Sequence, residues 1–328
     1  MVPAAIACSF SAQAAYQFTT VDPPGATNAQ VFGINNSGQV VVSADLGPTT
    51  HNNYLYDSRK RSFTLLPPYS NPASLSASLL GINEPGVTVG SWNDGTSESG
   101  LIRSKQGAYT SFSHPDCDDT FGRAISTTGL VSGFATGCTT PDSIGFIYDP
   151  ARDTFVDFLP STDPNRPTIA QGITAQGQVV GSFFLVGPPA QAGNGTYAFL
   201  RNTNGTITFF RVNSSPTRAR GITDSGRIVG FISNAQGNHG FVGSLAGLPA
   251  SGQNITDVEL LDVPSSWARP GYVITSTFAQ GINNAGVIVG AWSECLATVA
   301  ADPLGDCGDP ANGRSHGFIA TPIPPKKK

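Results

Sequence analysis

The sequence predicts an all-β fold, a six-bladed β-propeller of four-stranded blades in which the N-terminal strand completes the last blade. Three observations predict it: one phrase recurs six times, two further strand-like runs follow most copies, and an unmatched strand precedes the first copy. Composition agrees, because only 12% of the 328 residues are charged while glycine (38) and proline (25) are abundant. That balance is typical of short strands joined by tight turns.

The recurring phrase consists of two strand-like runs joined by a polar tetrad that ends in glycine. Its copies are FGINNSGQVVVS from Phe32, LGINEPGVTVGSW from Leu80, RAISTTGLVSGF from Arg123, QGITAQGQVVGSF from Gln171, RGITDSGRIVGF from Arg220 and QGINNAGVIVGAW from Gln280. Glycine adopts a positive φ readily, so each phrase predicts a tight hairpin of strands a and b. The stretches that begin near residues 30, 78, 121, 169, 218 and 278 are called units one to six below.

Two further strands, c and d, follow the hairpin of each unit. Strand c reads NYLY, SGLI, IGFIY, YAFL, HGFV and HGFI, and strand d reads SFTLL, YTSF, TFVDFL, ITFF and VELLDV. The sixth unit lacks a strand d, whereas YQFTTVDPPGA from Tyr16 has that pattern ahead of the first unit. We therefore expect strand 16–22 to pair with strand c of the last unit and close a ring. An open β-solenoid is the alternative, but it needs capping units.

The phrase G-I-N-x-x-G-x-V-V-G followed by H-G-F resembles the bacterial extracellular HAF-repeat family, although the histidine is present only in the last two units. This resemblance implies export and brings no established catalytic residues. The expected organisation is a signal-peptide remnant at 1–15, one propeller over 16–322 and a disordered tail at 323–328. Residues 12–14 form an A-x-A cleavage signature, and lipidation at Cys8 is the alternative.

Four cysteines follow the predicted signal segment, an even number that suits an oxidising compartment. With Ile125 facing Leu130 across the hairpin of unit three, counting outward places Cys117 opposite Cys138, so these two are predicted to pair. Cys295 and Cys307 share the long b–c loop of unit six and are predicted to staple it. A zinc site is the competing interpretation, without C-x-x-C spacing to support it.

The candidate ligand-binding residues are three tryptophans and two arginines. Trp92, Trp267 and Trp292 map to the face that carries the d–a and b–c loops, where exposed indoles suit sugar rings; packing in the core is the alternative. Arg123 and Arg220 precede the Gly-Ile or Ala-Ile pair of an innermost strand and are expected to point toward the central channel. They suit a carboxylate or sulfate ligand; the alternative is that they pair with neighbouring acids or hydrogen-bond to loop carbonyls.

Two groups of residues are candidates for catalysis or metal binding. His114 stands with Asp116, Asp118 and Asp119 in SHPDCDDTF, which offers a base, acids and ligands for a hard cation. Asp302, Asp306 and Asp309 in DPLGDCGDP form a second weak metal candidate, although aspartate beside glycine is ordinary turn chemistry. We expect no cofactor, with calcium as the exception that these aspartates allow.

The predicted function is a secreted or cell-surface binding or scaffold propeller without catalytic activity. Its ligand would be a carbohydrate or an extracellular protein partner held on the loop-rich face. A polysaccharide hydrolase or lyase using His114 is the alternative, and a structural subunit of an extracellular assembly is a third. The formal net charge of −4 with scattered basic residues argues against nucleic acid, and no stretch is long enough to predict a membrane span.

Overall fold

The strands of the computed structural model follow the predicted repeat. The structure describes residues 16–324 except 48, 140–142, 161–166, 186–194, 246–247, 249–252 and 303–305. The predicted signal-peptide remnant and residues 325–328 of the predicted tail lie outside this range. Within it, helical structure comprises a 3₁₀ turn at Ser265–Trp267 and one α-helical turn, α1, at Ala297–Ala300. The chain is an all-β propeller.

The strands are named here in chain order. The N-terminal strand is β1 (Tyr16–Thr20). Units one and two contain β2 (Asn28–Ile34), β3 (Gln39–Asp45), β4 (His51–Asp57), β5 (Ser62–Leu65), β6 (Ser76–Ile82), β7 (Thr88–Asn93), β8 (Glu98–Arg103) and β9 (Tyr109–Phe112). Units three and four contain β10 (Asp119–Ile125), β11 (Val131–Thr136), β12 (Ser143–Asp149), β13 (Thr154–Phe158), β14 (Thr168–Ile173), β15 (Val179–Leu185), β16 (Gly195–Arg201) and β17 (Ile207–Val212). Units five and six contain β18 (Thr217–Ile222), β19 (Arg227–Asn234), β20 (Gly237–Ser244), β21 (Gln253–Ile255), β22 (Glu259–Leu261), β23 (Tyr272–Ile282), β24 (Ile288–Leu296) and β25 (Gly313–Pro322).

The sheets correct the expectation of six separate four-stranded blades. Units one to four form four separate sheets; three have four strands, and that of unit four gains β21, which pairs parallel to β17. The other seven strands of units five and six, together with β1, form one eight-stranded sheet through a bridge between Asn238 and Ser276. Glycine at position 237 allows β20 and β23 to approach this closely, since a Cβ atom there would lie 2.2 Å from the Thr275 carbonyl oxygen. Glycine at this position lets the two backbones meet.

The N-terminal strand pairs with strand c of the last unit, as the sequence predicts. β1 runs antiparallel to β25, from Tyr16 opposite Pro322 to Thr20 opposite Phe318. The amide of Val21 extends this ladder by donating to the Gly317 carbonyl at 2.9 Å. The ends of the described chain are therefore held within one sheet.

The a–b hairpins turn through the predicted glycines. In all six units this glycine has a φ between 80° and 92°, a conformation that residues with a side chain rarely adopt. In unit one the Gly38 amide donates to the Asn35 carbonyl at 3.1 Å, and the Asn35 side-chain oxygen accepts from the Gln39 amide at 2.9 Å. The polar tetrad of the phrase is thus a hydrogen-bonded turn.

A second glycine of the phrase lets neighbouring innermost strands touch. A Cβ atom at Gly33 of unit one would lie 2.6 Å from the Leu80 carbonyl oxygen of unit two. A Cβ atom at Gly281 of unit six would lie 2.5 Å from the Phe32 carbonyl oxygen of unit one. The core fills the space between neighbouring sheets, where Val31 and Val42 of unit one share a cluster with Val289 and other buried residues. Unit six therefore packs directly on unit one.

Candidate functional site

A β-bulge in every innermost strand sets the lining of a central cavity. In each a–b pair the register shifts at the residue that precedes the Gly-Ile or Ala-Ile pair. A bulge re-aims a side chain relative to the pleat. The six residues at these shifts line one cavity of about 140 Å³: Phe32, Leu80, Arg123, Gln171, Arg220 and Gln280.

The a–b turns surround one mouth of this cavity with hydrogen bonds that link each unit to the next. The links in order are Asn35 Nδ2 to Asn83 O (3.1 Å), Asn83 Nδ2 to Ser126 O (3.1 Å), Thr128 Oγ1 to Ala175 O (3.3 Å), Ala175 N to Asp224 Oδ1 (2.8 Å), Asp224 N to Asn284 Oδ1 (2.9 Å) and Asn283 Nδ2 to Asn35 O (3.1 Å). The acids at this mouth already accept hydrogen bonds: Glu84 from Asn36 and Ser37, and Asp224 from two neighbouring units. The ring fixes the position of the cavity walls beneath it.

Arg123 and Arg220 line the cavity, and no acid forms a hydrogen bond or ion pair with either of them among the described residues. Neither guanidinium makes a hydrogen bond or ion pair there, and the Nε atom of each is buried. Each instead lies over an aromatic ring, Arg123 at 5.1 Å from the centre of Phe134 and Arg220 at 5.3 Å from that of Phe231. Neither an ion pair with an acid nor a hydrogen bond to a loop carbonyl occurs at these two arginines in the described part of the chain, and Glu98 acts on Arg123 only through its charge.

Burial acts on both guanidiniums, and like charge acts on Arg220 as well. Burial lowers the pKa of Arg123, and the Glu98 carboxylate opposes that effect. Burial also lowers the pKa of Arg220, and the positive charges of Arg123 and Arg218 lower it further. Arginine remains protonated at neutral pH, so two desolvated positive charges face the same cavity. An anion bound between them would relieve both effects.

The cavity has a polar wall and an apolar wall. Units three to six contribute Arg123, Gln171, Arg220 and Gln280, all of which carry N–H donors. Units one and two contribute the hydrocarbon surfaces of Phe32 and Leu80. The arrangement can receive an anionic group against one side and an apolar group against the other.

The tryptophans do not form one exposed platform. Trp292 is only 3% exposed and stacks on His316, with ring centres 4.3 Å apart. The half-buried Trp267 contacts Trp292 edge-on, with ring centres 5.8 Å apart. Trp92 of unit two packs instead against Tyr69. For Trp292 the expectation of an exposed indole is therefore wrong, because the side chain fills the core of unit six.

His114 occupies a packed position instead of an open cleft. Its residue is 4% exposed, its Nε2 atom lies 3.2 Å from an Asp157 carboxylate oxygen, and its Nδ1 atom accepts from the Asp116 amide at 3.2 Å. Asp119 accepts from the Glu98 amide at 2.8 Å and from Thr136 at 3.2 Å, while the side chain of Asp118 lies against Gly137. Both ring nitrogens of His114 are occupied by structural contacts, which disfavours the predicted catalytic role.

The second acidic cluster has the geometry of ordinary turns. Asp306 accepts from the Gly308 amide at 2.8 Å, and Asp309 accepts from the Ala311 amide at 2.8 Å. Asp302 is an exposed residue just after α1. No group of three or more His, Cys, Asp or Glu side chains suited to hold a metal occurs among the described residues. The same residues contain no helix long and apolar enough to cross a membrane.

Both predicted disulfides are present. Cys117 bonds to Cys138 with Cα atoms 4.0 Å apart, and Cys295 bonds to Cys307 with Cα atoms 5.4 Å apart. The predicted hairpin register is wrong by one residue, since Ile125 pairs with Val131 and not with Leu130. The bulge at Arg123 compensates for this shift, so the outer ends of β10 and β11 still meet as expected.

A polar cluster that was not predicted lies at the loop end of unit one. His51 Nδ1 lies 2.8 Å from an Asp45 carboxylate oxygen, and His51 Nε2 lies 2.8 Å from Ser43 Oγ and 3.4 Å from Ser78 Oγ. These side chains line a second cavity of about 170 Å³, which shares Phe32 and Leu80 with the central one. A sequence signal was available, because Ser43 and Asp45 alternate along one strand and His51 begins the next.

Comparisons with known proteins identify the fold alone. No protein-family model matches the chain, and no curated protein matches it. A solved structure of a putative gluconolactonase has a TM-score of 0.50 at 11% identity, covering 94% of this chain and 93% of its own. Virginiamycin B lyase from Staphylococcus aureus has a TM-score of 0.48 at 10% identity, covering 94% and 100%. TolB from Acinetobacter baumannii has a TM-score of 0.49 at 10% identity; the match covers 71% of this chain and only 57% of TolB. The resemblance to the HAF-repeat family gains no support from these comparisons.

Proposed function

We propose that this chain is an extracytoplasmic propeller of six blades that binds an anionic ligand in its central cavity. The blade count treats the eight-stranded sheet as two blades joined by the bridge at Asn238. It is supported by the six linked turns and by the contact of Gly281 with Phe32, which joins the last unit to the first. The two disulfides agree with a location outside the cytoplasm.

The guanidiniums of Arg123 and Arg220 carry this proposal, because neither makes a hydrogen bond or ion pair among the described residues and no acid acts on Arg220. A buried charge without a partner is costly, and that cost is recovered when a counter-ion binds. The guanidinium fork matches the oxygens of carboxylate, sulfate and phosphate groups. Retaining two such groups on one cavity is best explained by a ligand that supplies the negative charge.

The rest of the cavity lining narrows the ligand class. Gln171 and Gln280 alternate with the arginines around the polar wall and can hydrogen-bond hydroxyl or carboxylate oxygens. Phe32 and Leu80 offer an apolar face like that used to contact the C–H surface of a sugar ring. An acidic sugar unit at the end of a chain fits both walls, so we retain carbohydrate as the ligand class. A cavity of about 140 Å³ admits one such unit.

Titration calorimetry on the disulfide-bonded protein tests the proposal. The panel contains glucuronate, short oligouronates and sulfate, with glucose and neutral oligosaccharides for comparison. We expect the acidic ligands alone to bind, and Arg123→Gln and Arg220→Gln each to weaken binding at least about tenfold, because each removes one charged donor. Binding should also weaken as salt rises.

Arg103→Gln is the matched control for this experiment. Arg103 is also partly buried and lies 5.8 Å from the centre of the Tyr109 ring, but it belongs to an outer strand. Its replacement should leave binding unchanged. Equal binding of acidic ligands by the wild type and by both cavity variants would refute the proposal.

A binding surface on the loop-rich face is the second candidate. The observation in its favour is that Trp267 keeps part of its indole exposed beside the Phe18 ring, at a centre distance of 6.1 Å. In that case neutral oligosaccharides would bind, and Trp267→Ala would abolish binding while Arg220→Gln would not. The same titrations therefore distinguish the two surfaces.

A further inference from the structure

The cluster around His51 has the connectivity of a nucleophile, a base and an orienting acid. The Asp45 carboxylate can only accept a hydrogen bond, so at 2.8 Å it fixes the proton of His51 on Nδ1. In the neutral imidazole Nε2 is then an acceptor, and Ser43 Oγ donates to it at 2.8 Å. This chain of contacts leaves the serine oxygen poised to lose its proton to histidine.

The repeat itself does not require this cluster. His51 stands opposite Asp45 across β3 and β4, and equivalent pairs occur in the other five units. Those pairs are Asn93 with Glu98, Thr136 with Ser143, Phe184 with Thr196, Ser233 with Asn238 and Ser293 with Ser315. None of them combines aspartate with histidine. Since the blade forms without the set, unit one carries it for a reason other than the fold.

The cluster opens onto a cavity that can hold a small substrate. Ser43, His51 and Ser78 line the 170 Å³ space together with Gln30, Phe32 and Leu80. The His51 side chain is 37% exposed, so solvent reaches the base. The side-chain amide of Gln30 makes no hydrogen bond within the described residues and remains available as a donor.

We infer that Ser43, His51 and Asp45 form a hydrolytic site for small esters, an activity separate from anion binding in the central cavity. Ser43 Oγ attacks the ester carbonyl carbon while His51 Nε2 takes the serine proton. The bond to the alcohol oxygen then breaks, and His51 returns the proton to that oxygen. Water attacks the acyl-serine by the same route, releases the carboxylic acid and restores Ser43. Asp45 stabilises the transient imidazolium, and the Gln30 amide donates to the carbonyl oxygen as negative charge develops on it.

Hydrolysis of p-nitrophenyl acetate and butyrate by the intact protein tests this inference. We expect turnover above the buffer rate, and a loss of at least about 100-fold in Ser43→Ala and His51→Asn. His51→Asn should fold normally because the side chain lies at the surface, which circular dichroism verifies. Ser91→Ala is the matched control: it occupies the same strand position in unit two, pairs there with Ser78, and faces no histidine. It should retain full activity.

A fluorophosphonate probe followed by peptide mass spectrometry identifies the nucleophile directly. We expect the label on Ser43 in the wild type and no label in His51→Asn. A label on Ser78 instead would overturn the assignment of Ser43. The absence of both hydrolysis and labelling in the wild type would overturn the hydrolytic site, while leaving the anion-binding proposal to its own titrations.

Discussion

At the scale of single residues, the arginine that suits the central cavity to bind an anion also lowers the stability of the fold. Arg220 is half-buried near Arg123 and Arg218, and the positive charges of both lower its pKa in the direction that burial does. The ring of Phe231 beneath it supplies only a weak compensating attraction. Arg220 thus suits an anionic ligand, but without one its charge is unfavourable in the cavity.

Arg220→Met tests whether the cavity sacrifices stability for binding. Methionine retains the length and apolar contact of the side chain while removing the charge, so we expect the free energy of unfolding to rise by about 1 kcal/mol. Chemical denaturation without ligand measures this change, and Arg103→Met on the outer strand is the control. A fall in stability equal to that of the control would indicate that Arg220 already has its counter-charge in the folded protein.

At the scale of single elements, the sequence predicted strand identity better than strand register. The hairpins and the pairing of Cys117 with Cys138 could be predicted because glycine and β-branched residues report directly on turns and strands. The bulge at Arg123 could not, since it is a backbone conformation without a residue type of its own. The cluster of Ser43, Asp45 and His51 had a signal in the alternation of Ser43 and Asp45, but placing His51 beside them requires the pairing across the loop between β3 and β4.

Because neighbouring innermost strands touch at their glycines, adding a methyl group there should lower the free energy of unfolding. In Gly281→Ala the new Cβ atom would lie 2.5 Å from the Phe32 carbonyl oxygen, so we expect a loss of about 1–3 kcal/mol in unfolding free energy. Unit three carries Ala124 at the equivalent place, which makes Ala124→Gly the control, with a loss of at most about 1 kcal/mol. Urea denaturation compares the two; equal small losses would mean that the strands have room to move apart.

At the scale of the whole molecule, the propeller depends on a strand from the opposite end of the chain. β1 supplies Phe18 to the aromatic cluster of Phe318 and Trp267, and Asp22 just beyond it holds His316 at 2.7 Å. The sequence predicted this closure from the missing d strand. It did not predict the merged sheet of units five and six, because the bridge at Asn238 depends on a close approach that no motif marks.

Deleting residues 16–22 tests the closure. We expect a loss of several kcal/mol in stability and a tendency to aggregate, because the β25 edge and the surrounding apolar side chains become exposed. Thermal unfolding and light scattering measure the two effects. Deletion of residues 326–328 is the control and should change neither; an unaltered melting temperature after the N-terminal deletion would contradict the closing role of β1.

The pairing of β1 with β25 also sets a temporal order for folding. A chain that emerges from its N-terminus presents β1 first, yet its partner strand appears only some 300 residues later. Contacts of such long sequence separation form slowly, so the last blade stays unfinished until β25 has been synthesised. Until then the chain lacks the contact that locks the ring, so the other blades form on an open array whose two ends have not yet met.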